Sequence, residues 1–138
     1  MIGVFADTFY WIAVTNNQDL AHEKATSLMR SAPPFTIFTT EEVLTEYLNY
    51  FAAWGPHFRR KASTNVQNMR ENRMVRIVPQ APASFLAGLE LYRSRLDKGY
   101  SMTDCVSMQT MQKEGITEAL TNDSHFEQEG FRSLLRER

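Results

Sequence analysis

Short apolar segments alternate along the chain with longer segments in which apolar residues recur every three or four positions. The short segments predict β-strands, because a strand that is buried on both faces reads as a continuous apolar run. They cover residues 2–6, 35–38, 74–78 and 116–120, and residues 131–135 fit a last edge strand. Strands that alternate with helices predict an α/β three-layer sandwich, whose central sheet of four or five strands is mostly parallel.

The longer segments predict the helices between these strands. They comprise a short turn at residues 9–13 and helices at 19–30 and 41–53, followed by helices that begin after Gly55-Pro56, after Pro82 and at Ser101. Pro33-Pro34 stops the helix at 19–30, and Gly115 ends the last long helix. The helix after Pro82 has one apolar face, which we assign to the core: Phe85, Leu89, Tyr92 and Leu96.

The composition is that of a folded globular protein, with 43% hydrophobic and 22% charged residues in 138 positions. We therefore treat residues 1–138 as one domain. A net charge of −1 provides no overall attraction to nucleic acid, so such a contact would need a local patch. The single cysteine excludes an internal disulfide, and no apolar run approaches the ~20 residues of a membrane span. Because the N-terminus also lacks a basic leader, we expect a cytoplasmic protein.

Four carboxylates stand at positions where such a fold forms a ligand site. Asp7 and Asp123 follow the first and fourth predicted strands, and parallel sheets bind ligands beside the carboxyl ends of their strands. On a helical wheel of ~100° per residue, Glu46 lies at the edge of the apolar arc of its helix. Asp104 opens the last long helix on one of its apolar faces.

Each of these acids also has a purely structural interpretation. Asp7 and Asp123 fit the caps of the helical turns that follow them, and Asp104 fits a capping box with Ser101. Glu46 fits the solvated edge of a helix. Convergence of all four acids by accident is less probable than any single cap, so the set favours one shared acidic pocket.

Such a pocket needs a positive charge, because clustered carboxylates repel and are costly to bury unpaired. Mg²⁺ prefers oxygen ligands and commonly bridges carboxylates to a substrate phosphate. The pocket therefore predicts hydrolysis of a phosphodiester, in which the metal activates water and offsets charge on the leaving oxygen. The chain lacks a Gly-rich phosphate loop, so its sequence does not support hydrolysis of a nucleoside triphosphate.

Four segments carry a resemblance to the PIN domain family: FADTFYWIA, TTEEVLTEYLNYF, DKGYSMTDCVSMQTM and LTNDSHF. They are most similar to the single-domain VapC-type ribonucleases of toxin–antitoxin pairs, and the resemblance spans nearly the whole chain. It implies a Mg²⁺ or Mn²⁺ site formed by Asp7, Glu46, Asp104 and Asp123. It also implies that Thr121 supports these acids. His125 stands where some relatives have a further acid, which puts a second metal site in question.

The resemblance implies a magnesium-dependent endoribonuclease that acts on RNA, and a cognate antitoxin protein that covers its acidic site. In-line attack by metal-activated water predicts products with 5′-phosphate and 3′-hydroxyl ends. The alternatives are a stand-alone RNA-processing nuclease of the same family, a receiver-type signalling domain and a non-catalytic binding module. A receiver domain would need an acid after its third strand, where this chain reads MVRIVPQ.

Several other residues keep two interpretations. His125 either binds a substrate phosphate or packs at a helix start beside Phe126, and Cys105 is interpreted as a small buried residue. Two basic clusters either contact RNA or a partner or are solvated helix faces: Arg59, Arg60, Lys61 and Arg93, Arg95, Lys98. Aromatic residues near the acids form either a homodimer or partner surface or part of the core: Tyr10, Trp11, Tyr47, Tyr50 and Trp54.

Overall fold

A parallel β-sheet forms the centre of the computed structural model, which describes residues 2–31 and 35–136. Within these residues the strands are β1 (Ile2–Ala6), β2 (Phe35–Thr40), β3 (Val75–Val78), β4 (Glu118–Leu120) and β5 (Arg132–Ser133). The helices are α1 (Thr8–Thr15), α2 (His22–Ser31), α3 (Glu41–Tyr50), α4 (Pro56–Glu71), α5 (Pro82–Ser94), α6 (Met102–Glu114) and α7 (Ser124–Gln128). The predicted α/β fold is confirmed, with every ladder of the five-stranded sheet parallel.

The strand order is β3-β2-β1-β4-β5, so the chain reverses its direction of travel across the sheet between β3 and β4. The topological switch point therefore lies between the adjacent strands β1 and β4, where open α/β sheets bind their ligands. This order also differs from the 2-1-3-4-5 order of flavodoxin-like folds. The topology thus contradicts the receiver-type alternative, and β3 is followed by Pro79 and Gln80 rather than by an acid.

Helix and strand boundaries follow the sequence pattern closely. Strand β1 has the predicted limits, whereas β2 continues two residues past the predicted 35–38, to Thr40. Thr40 then caps α3, since its hydroxyl accepts a 3.1 Å hydrogen bond from the amide of Val43. Helix α3 ends at Tyr50, three residues before the predicted limit of 53. The predicted stop at Pro33-Pro34 lies outside the described residues.

Helix α6 is central, as its apolar faces predict. Its buried residues are Cys105, Val106, Ser107, Met108, Thr110 and Met111. Ser101 and Asp104 form the predicted capping box at its start, with 3.0 Å hydrogen bonds in both directions. Gly115 ends the helix in the left-handed conformation, with φ of 69°, a backbone geometry that other residues rarely adopt.

Helix α5 is rotated away from the orientation that its sequence predicts. The face assigned to the core is exposed, with Phe85 at 54% and Tyr92 at 51% of their full accessibility, and Leu96, two residues past the end of α5, is also exposed. The buried positions are Gly88 and Leu91 instead, whose mean direction is roughly 100° away around the helix. Gly88 explains this orientation, because a Cβ there would stand 2.6 Å from the Val106 side chain of α6. Close contact between α5 and α6 thus takes precedence over burial of the larger side chains.

None of the helices within residues 2–31 and 35–136 combines the length and the apolar character needed to cross a membrane.

Candidate active site

Asp7 and Thr121 meet at the switch point because β1 and β4 are paired in register. Ala6 lies opposite Leu120, so the next residue of each strand emerges at the same edge of the sheet. The Thr121 hydroxyl donates a 2.9 Å hydrogen bond to Oδ2 of Asp7. Asp7 occupies the N-cap position of α1, yet its side chain makes no capping hydrogen bond. Its carboxylate is therefore directed to the switch point rather than to the helix.

The Asp7 carboxyl is poorly suited to remain ionised without a positive partner. Its residue is 7% exposed, and burial, reinforced by the charges of Asp104 and Glu46, raises its pKa from 3.8 to about 7. Hydrogen bonds from the Thr8 backbone and from the Thr121 hydroxyl lower the pKa but only in part. A cation bound beside these acids would counteract the shift, because it would favour the ionised carboxylate.

Glu46 reaches the same site from α3. Glu46 is exposed as a whole residue, but its Oε1 accepts a hydrogen bond from the hydroxyl of Thr8, the first residue of α1. This contact directs the carboxylate toward the N-terminus of α1, and its charge acts on Asp7. The helical-wheel position at the edge of the apolar arc is thus consistent with a side chain that leans into the site.

Asp104 and Asp123 are helix caps, as the structural interpretation predicts, and both also line the site. Asp104 Oδ2 accepts from the Ser101 amide, while Asp123 Oδ1 accepts a 2.8 Å hydrogen bond from the His125 amide. The Asp123 amide donates to the Thr121 hydroxyl at 3.1 Å, which ties the fourth acid to the first. A cap leaves lone pairs on each carboxylate, so capping and ligand binding do not exclude each other.

His125 lies between two of the acids, a position that its sequence neighbourhood did not reveal. Its Nδ1 is 3.4 Å from Asp104 Oδ2 and 3.4 Å from Asp123 Oδ1. The imidazole packs against the Tyr100 ring at a centroid distance of 5.3 Å. His125 lies at the start of α7, as the packing interpretation expects, but its aromatic contact is with Tyr100, and its Nδ1 faces the acidic site.

The donor set fits a divalent cation. Ligand atoms of Asp104, Asp123 and His125 all lie within 4.8 Å of one another. Carboxylate oxygens and imidazole nitrogen are common donors for divalent metals. Among the described residues, neither aspartate forms a salt bridge with a lysine or an arginine, so a bound cation would supply the positive charge that the cluster needs.

The family model for the PIN domain matches residues 4–131 of the chain, a span that includes β2, β3, β4 and all four acids. The chain belongs to the PIN domain family. The chain also resembles a curated protein of Mycobacterium tuberculosis, the 23S rRNA-specific endonuclease VapC20, with 29% identity over 131 residues. That match covers 93% of this chain and 95% of the relative.

Solved structures of PIN proteins show the same architecture. The crystal structure of Mycobacterium tuberculosis VapC20, described as a sarcin-ricin loop cleaving toxin, matches with a TM-score of 0.84 and 27% identity. The match covers 95% of this chain and 98% of that one. VapBC2 of Rickettsia felis, solved with a promoter DNA fragment, matches at a TM-score of 0.61 and 18% identity, over 93% and 92% of the two chains. This second likeness concerns the fold alone.

Burial and ion pairing distinguish structural from functional interpretations for two other candidate residues of this PIN domain. Cys105 is fully buried, and burial raises the pKa of its thiol, which fits a structural residue rather than a nucleophile. In the second basic cluster, Arg95 is committed to a bidentate pair with Glu129 at 2.9 and 2.7 Å. Sequence reasoning missed this pair, because the partners are 34 residues apart and neither belongs to a recognisable motif.

The aromatic residues near the acids are mainly core residues. Tyr10, Trp11 and Tyr47 are buried, whereas Tyr50 and Trp54 keep 45% and 43% of their accessibility. Burial explains the first three residues. The two exposed rings lie 5.3 Å apart beside the end of α3, where they are accessible to a partner.

Proposed function

We propose that the chain is a divalent-metal-dependent endoribonuclease and the toxin of a toxin–antitoxin pair. Its membership of the PIN domain family carries this proposal, and the convergence of Asp7, Glu46, Asp104 and Asp123 at the switch point supports it. The similarity to a 23S rRNA-specific endonuclease supports RNA as the substrate. We expect the protein to act in the cytoplasm.

Each acid has a distinct part in this proposal. Asp104 and Asp123 hold the cation, and Asp7 and Glu46 complete the acidic pocket, in which Thr121 orients Asp7 and Thr8 orients Glu46. We assign Mg²⁺ as the ion, with Mn²⁺ as its nearest substitute, because three or four carboxylates form an oxygen-rich site. A bound ion would lower the pKa of a coordinated water and offset charge on the leaving oxygen.

The test is cleavage of RNA by purified protein with and without Mg²⁺, followed by mapping of the product ends. Ribosomal RNA and an isolated sarcin-ricin stem-loop are the first substrates to try, in view of what the VapC20 relative cleaves. We expect cleavage with Mg²⁺ and ends that carry 5′-phosphate and 3′-hydroxyl groups. Asp7→Asn and Asp104→Asn should abolish cleavage while the circular dichroism spectrum stays unchanged.

Asp97→Asn is the matched control, since Asp97 pairs only with Lys98 on the surface among its described contacts. It should cleave at the wild-type rate. If Asp104→Asn, prepared identically, still cleaved RNA, the cleavage would come from a contaminant, and the proposal would be overturned.

The toxin role has its own test. A small adjacent gene should encode a DNA-binding antitoxin whose product forms a complex with this chain and inhibits its cleavage of RNA. A fully active nuclease without such a partner, and without toxicity when expressed alone, would instead favour the stand-alone RNA-processing alternative.

A further inference from the structure

His125 is oriented with one particular ring nitrogen toward the acids. Its Nδ1 is equally distant, at 3.4 Å, from Oδ2 of Asp104 and from Oδ1 of Asp123. A charge-assisted hydrogen bond between nitrogen and carboxylate is about 2.7–2.9 Å long, so neither contact is a well-formed one. The nitrogen thus lies near both oxygens without being bonded closely to either.

These separations match those between ligands that share an ion. At metal–ligand bonds of about 2.1 Å, neighbouring ligands lie about 3.0 Å apart in an octahedral site and about 3.4 Å apart in a tetrahedral one. One ligand atom from each of Asp104, Asp123 and His125 also lies within 4.8 Å of the other two. The three donors can therefore bind one cation with small side-chain adjustments.

The surroundings hold the imidazole in this orientation. The Tyr100 ring covers one side of it, and the Tyr100 hydroxyl donates a 3.0 Å hydrogen bond to Glu129. Glu129 is in turn fixed by the bidentate pair with Arg95. At the far edge, Nε2 faces Gly99, where even an added Cβ would stand at an ordinary contact distance of 3.6 Å. This packing favours the inward position of Nδ1.

We propose that His125 Nδ1 is a ligand of the ion held by Asp104 and Asp123, and that this nitrogen broadens the choice of metal. The inference rests on the proposed function, because it needs a metal at the acidic site. Imidazole favours Co²⁺, Ni²⁺ and Zn²⁺ over Mg²⁺, which prefers an all-oxygen environment. The site therefore discriminates less against transition metals than an all-carboxylate site would.

The direct test uses Mn²⁺ as a spectroscopic probe on the full, tag-free chain. Pulsed electron paramagnetic resonance should detect the hyperfine coupling of an imidazole ¹⁴N to bound Mn²⁺ in the wild type. His125→Asp should still bind Mn²⁺ but without that coupling, because an oxygen replaces the nitrogen. His57→Asn removes an exposed histidine from α4 and should leave the coupling unchanged.

Calorimetric titration with Co²⁺ and Mg²⁺ gives a second readout that does not depend on RNA cleavage. We expect the ratio of the Mg²⁺ to the Co²⁺ dissociation constant to fall at least about tenfold in His125→Asp, since even outer-sphere partners change metal affinity by about 10–100-fold. Circular dichroism confirms that the variant is folded.

The outcomes separate the two proposals. Mn²⁺ binding that Asp104→Asn abolishes, but that shows no ¹⁴N coupling in the wild type, would overturn the ligand role of His125 and leave the proposed function intact. Mn²⁺ binding that does not depend on Asp104 would overturn both, because the acidic cluster would then not be the metal site.

Discussion

The hydroxyl of Thr121 joins the first and last acids of the site. It donates a 2.9 Å hydrogen bond to Asp7 Oδ2 and accepts a 3.1 Å hydrogen bond from the Asp123 amide. Thr121 is fully buried, so neither contact is shared with bulk solvent. One side chain thereby fixes the relative positions of Asp7 and Asp123, which are 116 positions apart in the chain.

Replacing Thr121 by valine should therefore destabilise the fold and impair the site together. Valine keeps the shape but leaves the Asp7 carboxylate and the Asp123 amide without this partner, at a cost of about 1–3 kcal/mol for a buried polar group. Urea unfolding at pH 8 measures the loss, and binding of Mg²⁺ should weaken in parallel. Thr121→Ser keeps the hydroxyl and should restore most of the lost stability. Equal stability of the valine and serine variants would contradict this role.

The raised pKa of Asp7 makes the metal-free protein less stable as the pH rises. The unfolded carboxyl loses its proton near pH 3.8, whereas the folded one holds it up to about pH 7. Between these values the folded state binds more protons, so the free energy of unfolding falls with increasing pH. At about 1.4 kcal/mol per pKa unit, the loss amounts to about 4 kcal/mol at most.

The Asp7→Asn variant isolates this effect. In the presence of a chelator its stability relative to the wild type should rise between pH 4 and pH 7 and remain level above that range. Denaturant unfolding at a series of pH values gives the difference directly, and titrating groups that do not interact with Asp7 cancel in it. Asp97→Asn, at the surface, should show no such trend. A flat difference for Asp7→Asn would mean that burial does not hold its proton.

Binding of a divalent ion should offset this penalty. An ion that binds only the folded state stabilises it by about 2.7 kcal/mol at 100 times its dissociation constant. For a chain of this size, that corresponds to a rise in Tm of roughly 5–10 °C. Differential scanning calorimetry with Mg²⁺ and with chelator measures the rise. Asp104→Asn should reduce it strongly, whereas a rise of equal size in that variant would place the ion elsewhere.

The sequence predicted the sheet well because its strands are short apolar runs with clear ends. The positions of Asp7 and Asp123 followed from the same pattern, since Asp7 directly follows β1 and Asp123 lies three residues past the end of β4. The contacts of His125 and Glu129 could not be predicted, because they depend on how α7 approaches α5 and the start of α6. The orientation of α5 was predicted wrongly, because hydrophobic periodicity does not register the close helix contact that Gly88 permits.

The orientation of helix α5 can be tested with two leucines, of which one is buried and the other is exposed. Leu91 is 7% exposed, so Leu91→Ala should cost about 2–5 kcal/mol in the free energy of unfolding. Leu89 is 36% exposed, and Leu89→Ala should change stability much less in dilute protein. Guanidinium titrations compare the two. A larger loss for Leu89, or a loss that grows with protein concentration, would mean that this face is buried, in the second case by another copy of the chain.

Ser107 offers a stabilising substitution inside the central helix. Its hydroxyl is the one buried side-chain polar atom without a hydrogen-bond partner among the described residues, and its residue is fully buried. An unpaired buried hydroxyl costs about 1–3 kcal/mol, so Ser107→Ala should raise the free energy of unfolding and increase Tm by a few degrees.

Ser133 is the matched control, because its hydroxyl is also buried but donates a 2.9 Å hydrogen bond to the Asp123 carbonyl. Ser133→Ala should therefore be destabilising. Thermal unfolding of both variants decides the matter: a loss of stability in Ser107→Ala as large as that in Ser133→Ala would show that the Ser107 hydroxyl has a partner in solution.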